Sequence, residues 1–375
     1  MRLAFIDNIR WVMIVLVLSM HAADTYSPFG NWYYTEHRAA DLPTVAFFGF
    51  YQSFLQAFFM ALLFLIAGYF SPGSFAKKGP ARFLWDRFVR LGLPTLLYML
   101  LIGPLTEYYL SRTWRTPKSF AGAWWEHIVD GEVLGMTGPM WFCAALFMFS
   151  CCYAAVESWA PKGARKSGRT TVINNKNVML LAGSVALSTF LVKAMLPCGA
   201  TFYNMHLADF PSYIILFIAG IWAYRGGWIG RLPYEFGLRW GGVALGIGCV
   251  LWPTLIMLAG GRLGDMAAFE CGWHWQDLGM SIWAAIICVG VSLGLIVFFR
   301  EKLNVQGNLA RFMSANAFAV YVFHPPILIA LALALSELSA PAITKFLLLT
   351  ALGVVASFLA AEYVFRRIPL LNRML

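Results

Sequence analysis

Charge is what this sequence has least of. Only 12% of its 375 residues are Asp, Glu, Lys or Arg, against roughly 25% in an average soluble domain. With 60% of the chain apolar, this deficit excludes a disordered chain. It also excludes the two or three water-soluble domains that the length alone would allow. Histidine is scarce, six in all, and no Cys/His pair has the spacing of a metal site, so no metal is expected. Seven cysteines are too few for a disulfide scaffold. Repeats of about 20–50 residues are missing, as is the inverted duplication that transporters often carry. There is no cleavable signal peptide. The apolar run Trp11 to Ala23 follows Arg10 and leads into Asp24 without a small-residue cleavage site, so it is expected to be kept as a first span.

What the chain has in abundance is apolar length and large rings: 31 Phe, 15 Trp and 15 Tyr. Spanning a bilayer takes about 20 mostly apolar residues. Ten segments meet or approach that: 9–26, 45–70, 91–110, 139–159, 178–196, 211–225, 240–260, 278–299, 314–335 and 342–365. The expected fold is therefore all-α, a polytopic membrane helix bundle of about ten transmembrane helices. It is read as a single domain over 1–375, with no soluble domain appended. The lipid bilayer is its first partner, and the sequence leaves a homo-oligomer open.

The net charge of +10 would suit nucleic acid, but its placement argues otherwise. The loops 71–90, 160–177, 225–239 and 300–313, the tail from Arg366, and Arg2 with Arg10 hold 21 of the 28 basic residues. The opposite loops hold five, Arg38, Arg112, Arg115, Lys118 and Arg262. This is the positive-inside pattern, and it places both termini in the cytoplasm of a cell (inner or plasma) membrane. Nucleic acid is not an expected partner. The longest outer connection, 111–137, carries Trp124 and Trp125 and is expected to lie along the interface. Cys143, Cys151, Cys152, Cys249 and Cys288 fall within spans and read as small apolar residues. Cys198 and Cys271 lie in different outer loops; the sequence allows them to pair but does not decide it.

Ionisable residues within spans are costly and point to function. Arg10 and His21 are eleven residues apart, which places them within about 20° of one helix face and ~16 Å apart along the axis. Asp7 and Asp24 lie one turn outside them. A cation at the inner mouth and an imidazole deeper on the same stripe suit a path entered by an anion. A topology anchor and a structural hydrogen-bonder would give the same pattern. Arg87 and Arg90, with Arg82 just before, share a face and can grip one phosphate, or can serve topology alone. In the ninth segment Tyr321 and His324 precede Pro325-Pro326, where freed carbonyls suit either a cavity wall or a His-capped kink. His37, His127, His206 and His274 fall in outer loops or at span edges and read as solvated surface. Lys193 and Lys345 lie within spans.

These motifs together resemble the integral-membrane acyltransferase-3 family. Arg10, ten residues and His21 is similar to its Arg-x10-His signature, and Phe64-Leu65-Ile66-Ala67-Gly68-Tyr69-Phe70 to its Phe-Phe-x-x-Ser-Gly-Tyr/Phe segment, with Ala67 in place of Ser. Arg87-Phe88-Val89-Arg90-Leu91 with Pro94 resembles its Arg-x-x-Arg-Leu-x-x-Pro segment. Pro139-Met140-Trp141-Phe142 resembles its Leu-Trp-Phe, and Tyr321 to Pro325 its Tyr-x-x-His-x-Pro. Tyr26, five residues after His21, and Arg367-Ile368-Pro369-Leu370-Leu371 resemble the glucan-biosynthesis C-type succinyltransferase branch.

The resemblance implies O-acylation of a carbohydrate or related acceptor, with cytoplasmic acyl-CoA as co-substrate and no permanently bound cofactor. His21 would be the catalytic base. Arg10, Arg87 and Arg90 would hold the donor's phosphates. Tyr26, Trp141, Tyr321 and His324 are candidates for the cavity wall, the acceptor site or the oxyanion contact. Acetyl-CoA and succinyl-CoA both remain open, a succinyl carboxylate being one use for Lys193 or Lys345. An acyl-His21 intermediate is the mechanistic variant. A transporter or exporter of a small anion or glycan is the competing class.

Overall fold

The computed structural model describes residues 3–36, 40–111, 119–159, 173–258, 267–372 and 374. Among these, ten helices are long and apolar enough to cross a membrane: α1 Ala4–Tyr26, α2 Leu42–Lys78, α3 Pro80–Leu110, α4 Gly138–Trp159, α5 Asn175–Met195, α6 Leu207–Gly226, α7 Tyr234–Leu258, α8 Trp275–Lys302, α9 Asn308–Ala334 and α10 Ala342–Arg367. The protein is a multi-pass, all-helical membrane bundle. The one described sheet is a two-residue hairpin, β1 Thr201–Phe202 with β2 Met205–His206. We call the face carrying this hairpin outer, after the charge bias.

The inner ends differ most from the expected spans. Asp41 caps α2 by accepting the Thr44 N–H at 3.1 Å, and the helix then runs through Pro72 to Lys78. Gly79, at φ 73°, turns the chain straight into α3. Residues 71–90 are therefore helix ends rather than a loop, and Arg87 and Arg90 ride on α3. That helix alternates α-helical turns with π turns at Phe88–Gly92, Tyr98–Ile102 and Glu107–Ser111. Pro104 removes one N–H from the ladder, and the carbonyl it would have bonded, that of Leu100, accepts the Trp124 indole N–H at 2.7 Å. Trp124 belongs to the short helix Phe120–Val129, which covers part of the expected interfacial connection. Arg112, Arg115 and Lys118 lie outside the described residues.

α1 packs against α2, α8, α9 and α10, which holds His21 and Asp24 within the bundle while Arg10 stays exposed at the inner end. Beside it, α2 and α6 cross in backbone contact. A Cβ on Gly68 would lie 2.1 Å from the Phe217 carbonyl oxygen, and one on Gly220 2.0 Å from that of Leu65. Small residues at the contact let membrane helices approach this closely.

Cys198 and Cys271 are disulfide-bonded, with Cα atoms 5.4 Å apart, which ties the loop after α5 to the start of α8. Lys193 and Lys345 are both paired: Lys193 with buried Asp277 at 2.7 Å, and fully buried Lys345 with both oxygens of Glu36 at 2.8 and 2.7 Å. The inner face carries contacts of its own, among them Asn8 Nδ2 on the Leu303 carbonyl at 2.7 Å, Arg225 on Glu157 and Arg300 on the Leu232 carbonyl at 2.7 Å.

Candidate active site

A cavity of about 800 Å³ opens at the outer face, walled by α1, α2, α4 and the outer loops. His21 and Asp24 line it on α1, Gln52, Ser53 and Gln56 on α2, Trp141 on α4 and Tyr321 on α9. The spacing of α1 makes the central pair. Residues three apart share a helix face, and His21 Nδ1 lies 3.1 Å from Asp24 Oδ2. A carboxylate only accepts, so Nδ1 carries the proton and donates it. Nε2 is left as the basic nitrogen.

Asp24 is itself held. Gln52 Nε2 donates to its Oδ1 at 2.6 Å, and Ser27 Oγ donates to Gln52 Oε1 at 2.7 Å. This chain fixes which face of the Gln52 amide meets the carboxylate. Both His21 and Asp24 are about one-fifth exposed, so the pair is screened from water without being sealed. One turn along α2, Gln56 Nε2 bonds Asp209 Oδ2 at 2.8 Å and the Tyr213 hydroxyl at 3.2 Å. Trp141 stacks on Tyr213, with centroids 5.6 Å apart. Carboxylate, amide and aromatic groups thus share one wall.

The segment after α1 folds back over His21. A Cβ on Gly30 would sit 1.7 Å from the Asp24 carbonyl oxygen, so only glycine lets the chain return this close. The Glu36 N–H then donates to Thr25 O at 2.8 Å, and the buried Glu36–Lys345 pair pins the far end. Tyr33 and Tyr98 share a hydroxyl–hydroxyl bond of 3.0 Å. Burial pushes the Tyr33 phenol up to about 12, so it stays protonated at physiological pH. Between these anchors the Trp32 indole stacks on the His21 imidazole, with centroids 3.9 Å apart and planes 18° apart.

His324 also stacks on His21, at 5.2 Å. Pro325 cannot donate to the Tyr321 carbonyl, and His324 Nδ1 donates to it instead, at 2.8 Å. α9 remains helical through both prolines. Of the two readings of the sequence, a cavity wall or a cap, His324 is the cap: it is fully buried behind His21 and does not line the cavity, whereas Tyr321 does. Its Nε2 is buried with no hydrogen-bond partner among the described residues. Tyr321 donates its hydroxyl to the Pro139 carbonyl.

Other candidates fall elsewhere. Tyr26 is buried beneath the Lys345 ammonium, 5.6 Å from its ring centroid, and does not line the cavity. Arg10, Arg87 and Arg90 gather at the opposite end of the bundle. Arg87 lies within electrostatic reach of the other two, Arg10 sits 5.1 Å over the Phe70 ring, and none of the three lines the cavity. His127, expected at the surface, is buried beside Glu132 at 3.3 Å. His206 lines the cavity rim and His37 lies outside the described residues. Among the described residues no group of His, Cys, Asp and Glu could hold a metal.

Asp24 and Gln52 were the partners that sequence reasoning left unassigned. The three-residue spacing of His21 and Asp24 is a legible signal, whereas nothing local points to Gln52 or Trp32. No curated protein and no solved structure matches the chain. A family model described as an acyltransferase domain matches residues 3–362. Nearly the whole chain, inner arginines and outer cavity alike, lies within that match, and the protein belongs to the acyltransferase-3 family.

Proposed function

We propose that this membrane acyltransferase is an O-acyltransferase. It takes an acyl group from cytoplasmic acyl-CoA and esterifies a hydroxyl of a carbohydrate or related acceptor admitted from the outer face. The observation that carries this is the Asp24–His21 pair on the cavity wall, a base whose tautomer and direction are already set. His21 Nε2 takes the hydroxyl proton as the acceptor oxygen attacks the thioester carbonyl. Asp24 stabilises the imidazolium so formed, and the same proton passes to the departing coenzyme sulfur. In the variant with an acyl-His21 intermediate, the same nitrogen attacks first.

Arg10, Arg87 and Arg90 supply phosphate-binding cations at the inner mouth. The coenzyme's thin arm then covers the ~16 Å rise along α1 between Arg10 and His21. The wall of Trp141, Gln56 and Asp209 suits a sugar, whose apolar face stacks on rings while its hydroxyls bond amides and carboxylates. Of the two donors, acetyl-CoA fits better. Lys193 and Lys345 are each paired with a carboxylate, and among the described residues no Lys or Arg lines the cavity. Succinyl transfer, the chemistry of the glucan-biosynthesis C-type branch, is the alternative to test beside it. The charge bias supports cytoplasmic termini, and the membrane proposed is the inner or plasma membrane.

Calorimetry of both donors with detergent-purified wild type, Arg10→Ala and His21→Ala tests the scheme. Wild type binds one donor, Arg10→Ala loses it, and His21→Ala binds it while transferring nothing. A folded wild type that binds neither donor would leave transport of an anion or glycan as the better reading.

A further inference from the structure

We propose that the indole N–H of Trp32 is the oxyanion donor of the transfer reaction, an assignment that rests on the acyltransfer reading above. When the acceptor oxygen bonds to the thioester carbon, the carbonyl π pair moves onto oxygen. That charge needs a fixed donor until the carbonyl re-forms and the C–S bond breaks, leaving the ester and the coenzyme thiol. The donor has to stand next to the base that delivers the nucleophile.

Several groups near His21 have their protons committed. The Tyr321 hydroxyl donates to the Pro139 carbonyl. The His324 Nδ1–H is given to the Tyr321 carbonyl. Trp32 is different. Its Nε1 is buried, has no hydrogen-bond partner among the described residues, and belongs to a ring that lies flat on His21 and lines the cavity.

An unmade hydrogen bond at a buried donor is costly, so the site is built with a donor waiting for an acceptor atom. Parallel stacking also sets the layers. The hydroxyl that gives its proton to Nε2 lies in the imidazole plane, and Trp32 directs its N–H along the plane stacked next to it. A tetrahedral carbon places its oxygen out of the imidazole plane, towards that second layer. The loop is braced for such a task by the Glu36–Lys345 pair on one side and the Tyr33–Tyr98 bond next to Trp32.

The test is steady-state turnover of acetyl-CoA, read as free thiol, with water and with methyl glucoside as acceptors. Trp32→Phe keeps a ring on His21 and removes the N–H. Incorporating 3-benzothienylalanine at position 32 replaces only the N–H by sulfur and decides the matter if the Phe variant folds poorly. The expected result is a fall in kcat of about 10²–10³-fold. KM for acetyl-CoA and methyl glucoside should stay within about threefold, and hydrolysis should fall by the same factor as transfer, because both pass through the same oxyanion. Unchanged kcat with a raised KM for methyl glucoside would make Trp32 a sugar platform and overturn the assignment, as would no change at all. A wild type that turns over neither acetyl-CoA nor succinyl-CoA with either acceptor removes the acyltransfer reading, and this assignment with it.

Discussion

Replacing Asp24 by Asn tests the base assignment at its most specific point. The change is nearly isosteric and removes one charge. In the wild type, the imidazolium formed during proton transfer faces a carboxylate whose Oδ2 is 3.1 Å from Nδ1. With charge centres about 4 Å apart and an effective dielectric constant of about 20, that attraction is worth about 4 kcal/mol. Lost from the transition state, it slows the chemical step by roughly 10³-fold. The hydrogen-bond chain adds to this. Ser27 holds the Gln52 amide so that its NH2 faces position 24, so an Asn oxygen is drawn towards Gln52. The Asn NH2 then turns to His21 Nδ1, stabilising the wrong tautomer and blunting Nε2. The same exchange in a Ser-His-Asp triad costs about 10⁴-fold, and the expectation here is a fall in kcat of about 10³–10⁴-fold. The assay is thiol release from acetyl-CoA, with donor binding measured in parallel by calorimetry and expected to be unchanged. An Asp24→Asn enzyme within tenfold of wild type would refute the dyad and return His21 to a structural role.

Arg87→Ala should weaken acyl-CoA binding about tenfold or more while leaving acceptor preference unaltered, as titration calorimetry and competition between acceptors will report. Equal donor affinity would return this residue to topology alone. Lys345→Met removes the ammonium that donates to both Glu36 oxygens and should destabilise the protein, seen as a lowered thermal midpoint in detergent. Adding Glu36→Gln to that variant should restore most of the loss. If the double variant is no more stable than the single one, the pair does not act as a unit.

Much of this protein was legible without coordinates, for reasons that differ from residue to residue. Ten apolar segments had to become helices because unpaired backbone groups are too costly in hydrocarbon. Arg10 and His21 had to share a face because helical geometry is rigid. Element ends were less legible. The basic run 71–90 looked like a loop, yet Gly79 alone turns α2 into α3, since Pro72 and Pro80 are both tolerated within or at the start of a helix. The cysteine pair and the partners of Lys193 and Lys345 join parts of the chain that sequence spacing does not relate.

By itself, then, the sequence determined the class of molecule, its spans, the side on which its basic residues gather and the helix stripe bearing Arg10 and His21. These follow from local periodicity and transfer free energies, which each segment carries alone. Only the tertiary structure decided what surrounds His21. Gln52 orients Asp24 from a different helix, Trp32 reaches His21 through a fold-back that needs Gly30, and His324 meets His21 from α9, some three hundred residues along the chain. Such contacts depend on helix packing and loop closure, which no local pattern encodes.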